Sequence, residues 1–175
     1  VYMGAVEYEQ AQWGLRQTDS AYGAMMAAAY QRFGLADNHI TATRDTGNYY
    51  RFLVGGLPDV ITVDNTYEFI TKAGRWQVRF DAGHSPGHMS LTDSARKLHI
   101  CVDFLLPRIS PNISAKLRDL NDDMLADYLC YLNSMTDVPA DWLIIPGHDW
   151  PYFGGGVRAR QLSAHHAARL DQLLD

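Results

Sequence analysis

Apolar residues recur with helical spacing near both ends of the chain and with strand spacing between them. Residues 1 to 4 read as a short strand, and residues 5 to 16 as a helix able to bury Tyr8, Trp13 and Leu15. In AYGAMMAAAYQRF, residues 21 to 33, the spacing of Met25, Met26, Ala29 and Phe33 predicts a helix with one buried stripe. Asp19 or Ser20 is the expected N-cap, and Gly34 the expected stop. From Asp37 to Gly47 the pattern is polar and irregular, which predicts a loop. YYRFLV (49–54), VITV (60–63), YEFIT (67–71) and RWQVRF (75–80) then read as strands separated by GGLPD, DNT and KAG. Alternation in the last of these sets Trp76, Val78 and Phe80 on one face and Arg75, Gln77 and Arg79 on the other.

The second half alternates strand, loop and helix. HMSLTD and KLHICVD flank the turn SAR, so the two strands are expected as hairpin neighbours. Pro107 and Pro111 stiffen the loop FLLPRISPNIS, because proline fixes its own φ and restricts the residue before it. Asn121 or Asp122 is the expected cap of a helix in which Met124, Leu125, Tyr128, Leu129 and Leu132 form a broad apolar stripe. WLII, residues 142 to 145, reads as an inner strand. Gly154 to Gly156 break the chain before a last helix that packs through Leu162, Leu170 and Leu173. The pattern predicts a mixed α/β fold, with all 175 residues belonging to one domain.

Composition narrows the function. Fifteen basic against twenty acidic side chains leave a net charge of −5, with both signs interspersed. That argues against nucleic acid as a partner, since binding it takes a basic stripe. No run approaches the roughly 18 apolar residues of a membrane span. Cys101 and Cys130 lie in apolar runs without CxxC spacing and are expected as buried free thiols in a reducing compartment such as the cytoplasm. A small-molecule substrate is the expected partner, and nothing in the sequence argues against a homo-oligomer.

Three potential metal ligands stand at strand ends beside glycine or proline. His88 opens HMSL after Pro86-Gly87, Asp103 closes LHICVD, and His148 follows LII and Pro146-Gly147. Imidazole nitrogen and carboxylate oxygen are ordinary ligands of zinc, manganese and iron. Rigid strand ends can hold them while leaving a coordination position open. The competing reading of Asp103 is an arginine salt bridge, because a carboxylate in an apolar strand needs a cation of some kind. Cys101 shares a face with Asp103 and reads as a small buried hydrophobe rather than a ligand. Arg108, Ser110 and Asn112 could recognise a substrate or simply pin their own loop. His165 and His166, adjacent on a helix, cannot face the same way.

GHSPGH, followed by VDFLLPRISPNIS and later by PGH, resembles the metallo-beta-lactamase fold hydrolases. The resemblance extends through LADYL and the terminal helix RARQLSAHHAARL. It implies a metallo-beta-lactamase-like αββα sandwich and two divalent metal ions, zinc in the first place, with manganese or iron as alternatives. It further implies that His88 binds the first metal, that Asp103 bridges both and orients a metal-bound water, and that His148 binds the second. His84 would orient a ligand, and Arg108, Ser110 and Asn112 would meet the substrate. The reaction implied is hydrolysis of an ester, thioester, lactone, amide or phosphoester. Two alternatives are an inactive fragment or binding scaffold of the same fold and an iron-dependent, oxygen-using enzyme.

Two departures stand out. Val102 lies where similar enzymes usually carry glycine, which would shift the backbone or narrow the pocket. The HxHxDH string of the family occurs nowhere in the sequence, so residues 1 to 175 are expected to form a partial domain that does not sustain normal hydrolysis by itself.

Overall fold

The computed structural model describes residues 1–174, which form two compact units. One unit comprises Val1–Thr62 with Ala115–Asp122, and the other Val63–Ser114 with Asp123 onward.

The first unit is mainly helical. β1 (Tyr2–Gly4) pairs with β2 (Ile61–Val63), and between them run α1 (Ala5–Arg16), α2 (Asp19–Arg32), α3 (Asp37–Thr46) and the single turn α4 (Tyr50–Leu53). Two expectations are corrected here. The polar stretch after Asp37 is a helix that buries only Ile40, so no apolar stripe announces it. YYRFLV is a helical turn, not a strand: its aromatic and branched residues suit a strand by propensity, but Tyr49, Tyr50, Phe52 and Leu53 are exposed and pair with nothing in a sheet. Thr18, not Asp19 or Ser20, caps α2 by accepting from the Ala21 N–H at 3.2 Å. The buried face of α2 is Gly23, Ala27 and Ala29, whereas Phe33 is exposed. Those small residues let α3 approach so closely that a methyl group at Gly23 would overlap the Arg44 carbonyl. Fully buried Asn48 donates to the carbonyls of Gly14 at 2.8 Å and Gln17 at 3.1 Å, closing the end of α1.

The second unit holds a six-stranded sheet in the order β3 (Glu68–Thr71), β4 (Gly74–Asp81), β5 (His88–Asp93), β6 (Leu98–Val102), β7 (Leu143–Pro146), β8 (Tyr152–Phe153). Neighbours are antiparallel except β6 and β7, which run parallel because α5 (Met124–Met135) lies between them in the chain. The expected hairpin forms, with Leu91 opposite Ile100 and Asp93 opposite Leu98. α5 packs with α6 (Gly155–Leu174) over a core of Cys101, Phe104, Leu105, Tyr128, Tyr131, Leu132, Met135, Ile144, Ala159 and Leu162. Asp123 rather than Asn121 or Asp122 caps α5, accepting from Ala126 N–H at 2.9 Å. Leu162 is buried as expected, whereas Leu170 and Leu173 are exposed. Cys101 is buried, but Cys130 is exposed on α5, so only one of the two thiols is a core residue. No helix among the described residues is long and apolar enough to cross a membrane.

This topology decides where chemistry can sit. β6 and β7 are parallel, so the segments after their C-terminal ends emerge at one edge of the sheet. β5 is antiparallel to β6, so its beginning lies at that edge too. Asp103 follows β6, His148 follows β7, and His84 and His88 precede and open β5. Crevices beyond the carboxyl ends of parallel strands are where ligands bind in open α/β sheets.

Candidate metal centre

Asp103 is the centre of the arrangement. Its Oδ2 lies 3.5 Å from His84 Nε2, and its Oδ1 lies 3.5 Å from His148 Nε2. One carboxylate therefore faces two imidazoles through opposite oxygens. The carboxylate side chain is 27% exposed, so the edge is open to solvent without being fully hydrated.

His84 is held from behind. Its Nδ1 lies 2.8 Å from the Asn112 carbonyl oxygen. A carbonyl can only accept, so Nδ1 donates to it and Nε2 is the nitrogen that faces Asp103. This is the usual means of orienting a metal-binding imidazole. The Asn112 side chain turns to Ser114, its Nδ2 donating to Oγ at 2.8 Å. Gly83, at φ +144°, lets the chain reach this point: a Cβ there would stand 2.7 Å from Tyr128 Cβ. Gly147 serves His148 similarly, since a methyl group there would overlap Asp103 Oδ1.

His88 sits differently. Its Nε2 lies 3.1 Å from the Cys101 carbonyl oxygen, and its ring stacks on Phe104 with centroids 4.2 Å apart. The sequence reading gave the metal to His88 and the orienting role to His84. In the structure His84 lies against Asp103, and His88 lies at the strand end that carries Asp103.

The loop after Asp103 is pinned by donors that sequence reasoning missed. Tyr128 O–H donates to the Phe104 carbonyl at 2.9 Å and Tyr152 O–H to that of Leu105 at 3.0 Å. Arg158 donates from Nε to Leu106 O at 2.7 Å and from its terminal nitrogen to Ile109 O at 3.0 Å. Burial raises both phenol pKa values, so both hydroxyls remain donors. Nothing in the local sequence signals these bonds, because their acceptors are backbone atoms 24 to 52 residues away.

Of the other candidates, Arg108 is exposed and Ser110 half-buried on that loop. The Cys101 thiol is fully buried, 3.4 Å from the Leu105 carbonyl, and burial pushes its pKa up to about 12. A thiol held neutral in the core matches the hydrophobe expected there. His165 is exposed while His166 is half-buried, its ring 5.5 Å from that of Tyr128.

Among the described residues, no group of three or more His, Cys, Asp and Glu side chains closes on a single ion position. The donor set instead suits a shared carboxylate: one imidazole and one Asp103 oxygen on each side. That chemistry fits divalent cations, with further donors needed to complete each one.

The elements thus form a helix-backed mixed α/β sheet with His and Asp at the carboxyl edge of its parallel pair. The chain has the metallo-beta-lactamase fold. It superposes on a beta-lactamase domain protein from Burkholderia ambifaria with a TM-score of 0.80 and 29% identity, over 98% of this chain and 48% of that one. A metallo-beta-lactamase family protein from Thermus thermophilus matches with a TM-score of 0.79 and 23% identity, over 99% of this chain and 55% of that one. The di-iron-bound form of TTHA1623 matches with a TM-score of 0.51 and 21% identity, over 91% and 62% of the two chains. The chain thus spans about half the length of the first two structures. No family model and no curated protein matches it.

Proposed function

We propose that this sheet edge is the working end of a metal-dependent hydrolase. The observation that carries the reading is the Asp103 carboxylate set between His84 and His148 at 3.5 Å through opposite oxygens. His84 with one Asp103 oxygen would hold one divalent ion, and His148 with the other oxygen a second. Zinc is the first expectation. The iron in the TTHA1623 structure makes iron the alternative to test. When bound, such ions lower the pKa of a water and polarise the bond under attack.

The protein's own residues supply positioning. The Asn112 carbonyl holds His84 with Nε2 facing Asp103. His88 donates to the Cys101 carbonyl and steadies the end of β6, an orienting part rather than a ligand's. Tyr128, Tyr152 and Arg158 hold the loop that follows Asp103. On that loop Arg108 offers a planar donor fork, and Ser110 a hydroxyl, to a substrate carbonyl, carboxylate or phosphate. The substrate class is an ester, thioester, lactone, amide or phosphoester.

The ligand count bears on the 175-residue chain. His84, Asp103 and His148 provide fewer protein donors per ion than the about three of a catalytic zinc centre. Full turnover therefore belongs to an assembly with additional donors. The test is hydrolysis of an ester and thioester panel under nitrogen by that assembly, comparing its zinc-loaded with its iron-loaded form. Colourless zinc protein with oxygen-independent hydrolysis is the expected result. Turnover that requires oxygen and an iron chromophore would replace this reading with the iron one.

A further inference from the structure

We propose that Val102 is a specificity residue of this edge, placed to meet an apolar acyl or alkyl group next to the bond that is cleaved. The proposal deepens the hydrolase reading and rests on it for the identity of the site.

Val102 occupies the left-handed region at φ +44°. A branched side chain there crowds the backbone more than almost any other residue. The turn itself is dictated by the sheet. Val102 pairs with Pro146 across an irregularity in the β6–β7 register, and its carbonyl accepts from Gly147 N–H at 2.7 Å. Phe104 N–H then returns to the Cys101 carbonyl at 3.0 Å. Glycine would follow this backbone without strain. The valine side chain therefore adds strain that the fold does not require.

Nor does it gain burial in exchange. Val102 is 38% exposed and lies outside the core cluster, unlike Cys101 and Phe104 on either side. Its Cγ1 stands 3.1 Å from the point a Gly147 side chain would occupy, the same point that would overlap Asp103 Oδ1. The methyl group and the reactive carboxylate thus flank one small gap. The loops leaving Asp103 and His148 expose apolar groups as well, Ile109 at 56% and Trp150 at 82%. A strained, outward methyl beside a polar centre has one use that its neighbours do not already fill: contact with something arriving from solvent. The chemistry it recognises is aliphatic.

The test uses the metal-free 175-residue chain and neutral probes, so that it succeeds or fails independently of metal binding. Straight-chain primary alcohols from ethanol to octanol are titrated while the Val102 methyl signals are followed by NMR. Those signals should shift, and affinity should rise about twofold per added methylene, below the roughly fourfold of complete burial. Val102→Thr keeps the shape and the strain, and should flatten the chain-length dependence without changing the melting temperature. Val102→Gly should flatten it too, and melt at a higher temperature. Unmoved Val102 methyls, an unchanged chain-length dependence in either variant, or a lower melting temperature for Val102→Gly would overturn the proposal. Failure of the assembly that supplies the additional donors to bind cobalt would remove the hydrolase reading but not a positive alcohol series.

Discussion

The Asn112 carbonyl oxygen and His84 Nδ1 are 2.8 Å apart, and that one bond decides which nitrogen of His84 faces Asp103. The contribution comes from backbone, not from the asparagine side chain, whose amide is engaged with Ser114. Asn112→Ala is therefore expected to leave metal affinity within about threefold of the parent. Its loss of one exposed hydrogen bond should cost about 1 kcal/mol or less. Metal titration and urea unfolding of this variant check both statements. A large loss of affinity would mean that the amide itself acts at the site.

Tyr128 tests the pinned loop. Tyr128→Phe keeps the ring in the core and removes only the donor to the Phe104 carbonyl. Leaving that buried acceptor unpaired should destabilise the fold by about 1–3 kcal/mol. Metal affinity should fall as well, because Asp103 immediately precedes the released residue. Chemical denaturation and metal titration, run side by side, measure the two effects.

His99 makes stability depend on pH. It is 3% exposed, lies 2.9 Å from Thr92 Oγ1 through Nδ1, and burial lowers its pKa from 6.5 to about 4. Below pH 6.5 the unfolded chain takes up a proton that the folded chain refuses until about pH 4. The contribution is therefore full above pH 6.5, declines as pH falls and is lost below about pH 4. Its size is about 3 kcal/mol. Urea unfolding between pH 7 and pH 4 should show a shallower decline for His99→Asn than for the parent. Equal slopes would remove His99 from the acid sensitivity.

In the helical unit, Gly23→Ala forces a methyl group into the Arg44 carbonyl. Neither partner is a flexible side chain, so α2 and α3 must separate. A loss of about 1–3 kcal/mol is expected, of the kind seen on overpacking. Thermal melting measures it directly.

The sheet edge was legible because it is written in local signals. LHICVD and WLII are short apolar runs ending in Asp or Pro-Gly, and the strands they predict are β6 and β7. The helix from 37 to 46 was not legible, because a mostly exposed helix carries no apolar stripe. YYRFLV misled in the opposite sense, since composition favoured a strand that no partner completes. Where His84 and His88 lie relative to Asp103 could not be read from GHSPGH. It depends on where β5 begins: His88 falls on the strand and stacks on Phe104, whereas His84 stays in the loop and reaches Asp103. The strain at Val102 was equally hidden, since no pattern in LHICVD reports a positive φ.

The central claim is that His84, Asp103 and His148 form the metal-facing set, with His88 supporting from the strand. Cobalt titration of His84→Ala and His88→Phe, followed by the visible absorption of the bound ion, tests it most directly. His88→Phe retains a ring to stack on Phe104 and should bind cobalt within about tenfold of the parent, with a similar spectrum. His84→Ala should weaken binding more than about a hundredfold and change the absorption bands, as loss of a ligand does. Retained binding in His84→Ala together with lost binding in His88→Phe would contradict the account.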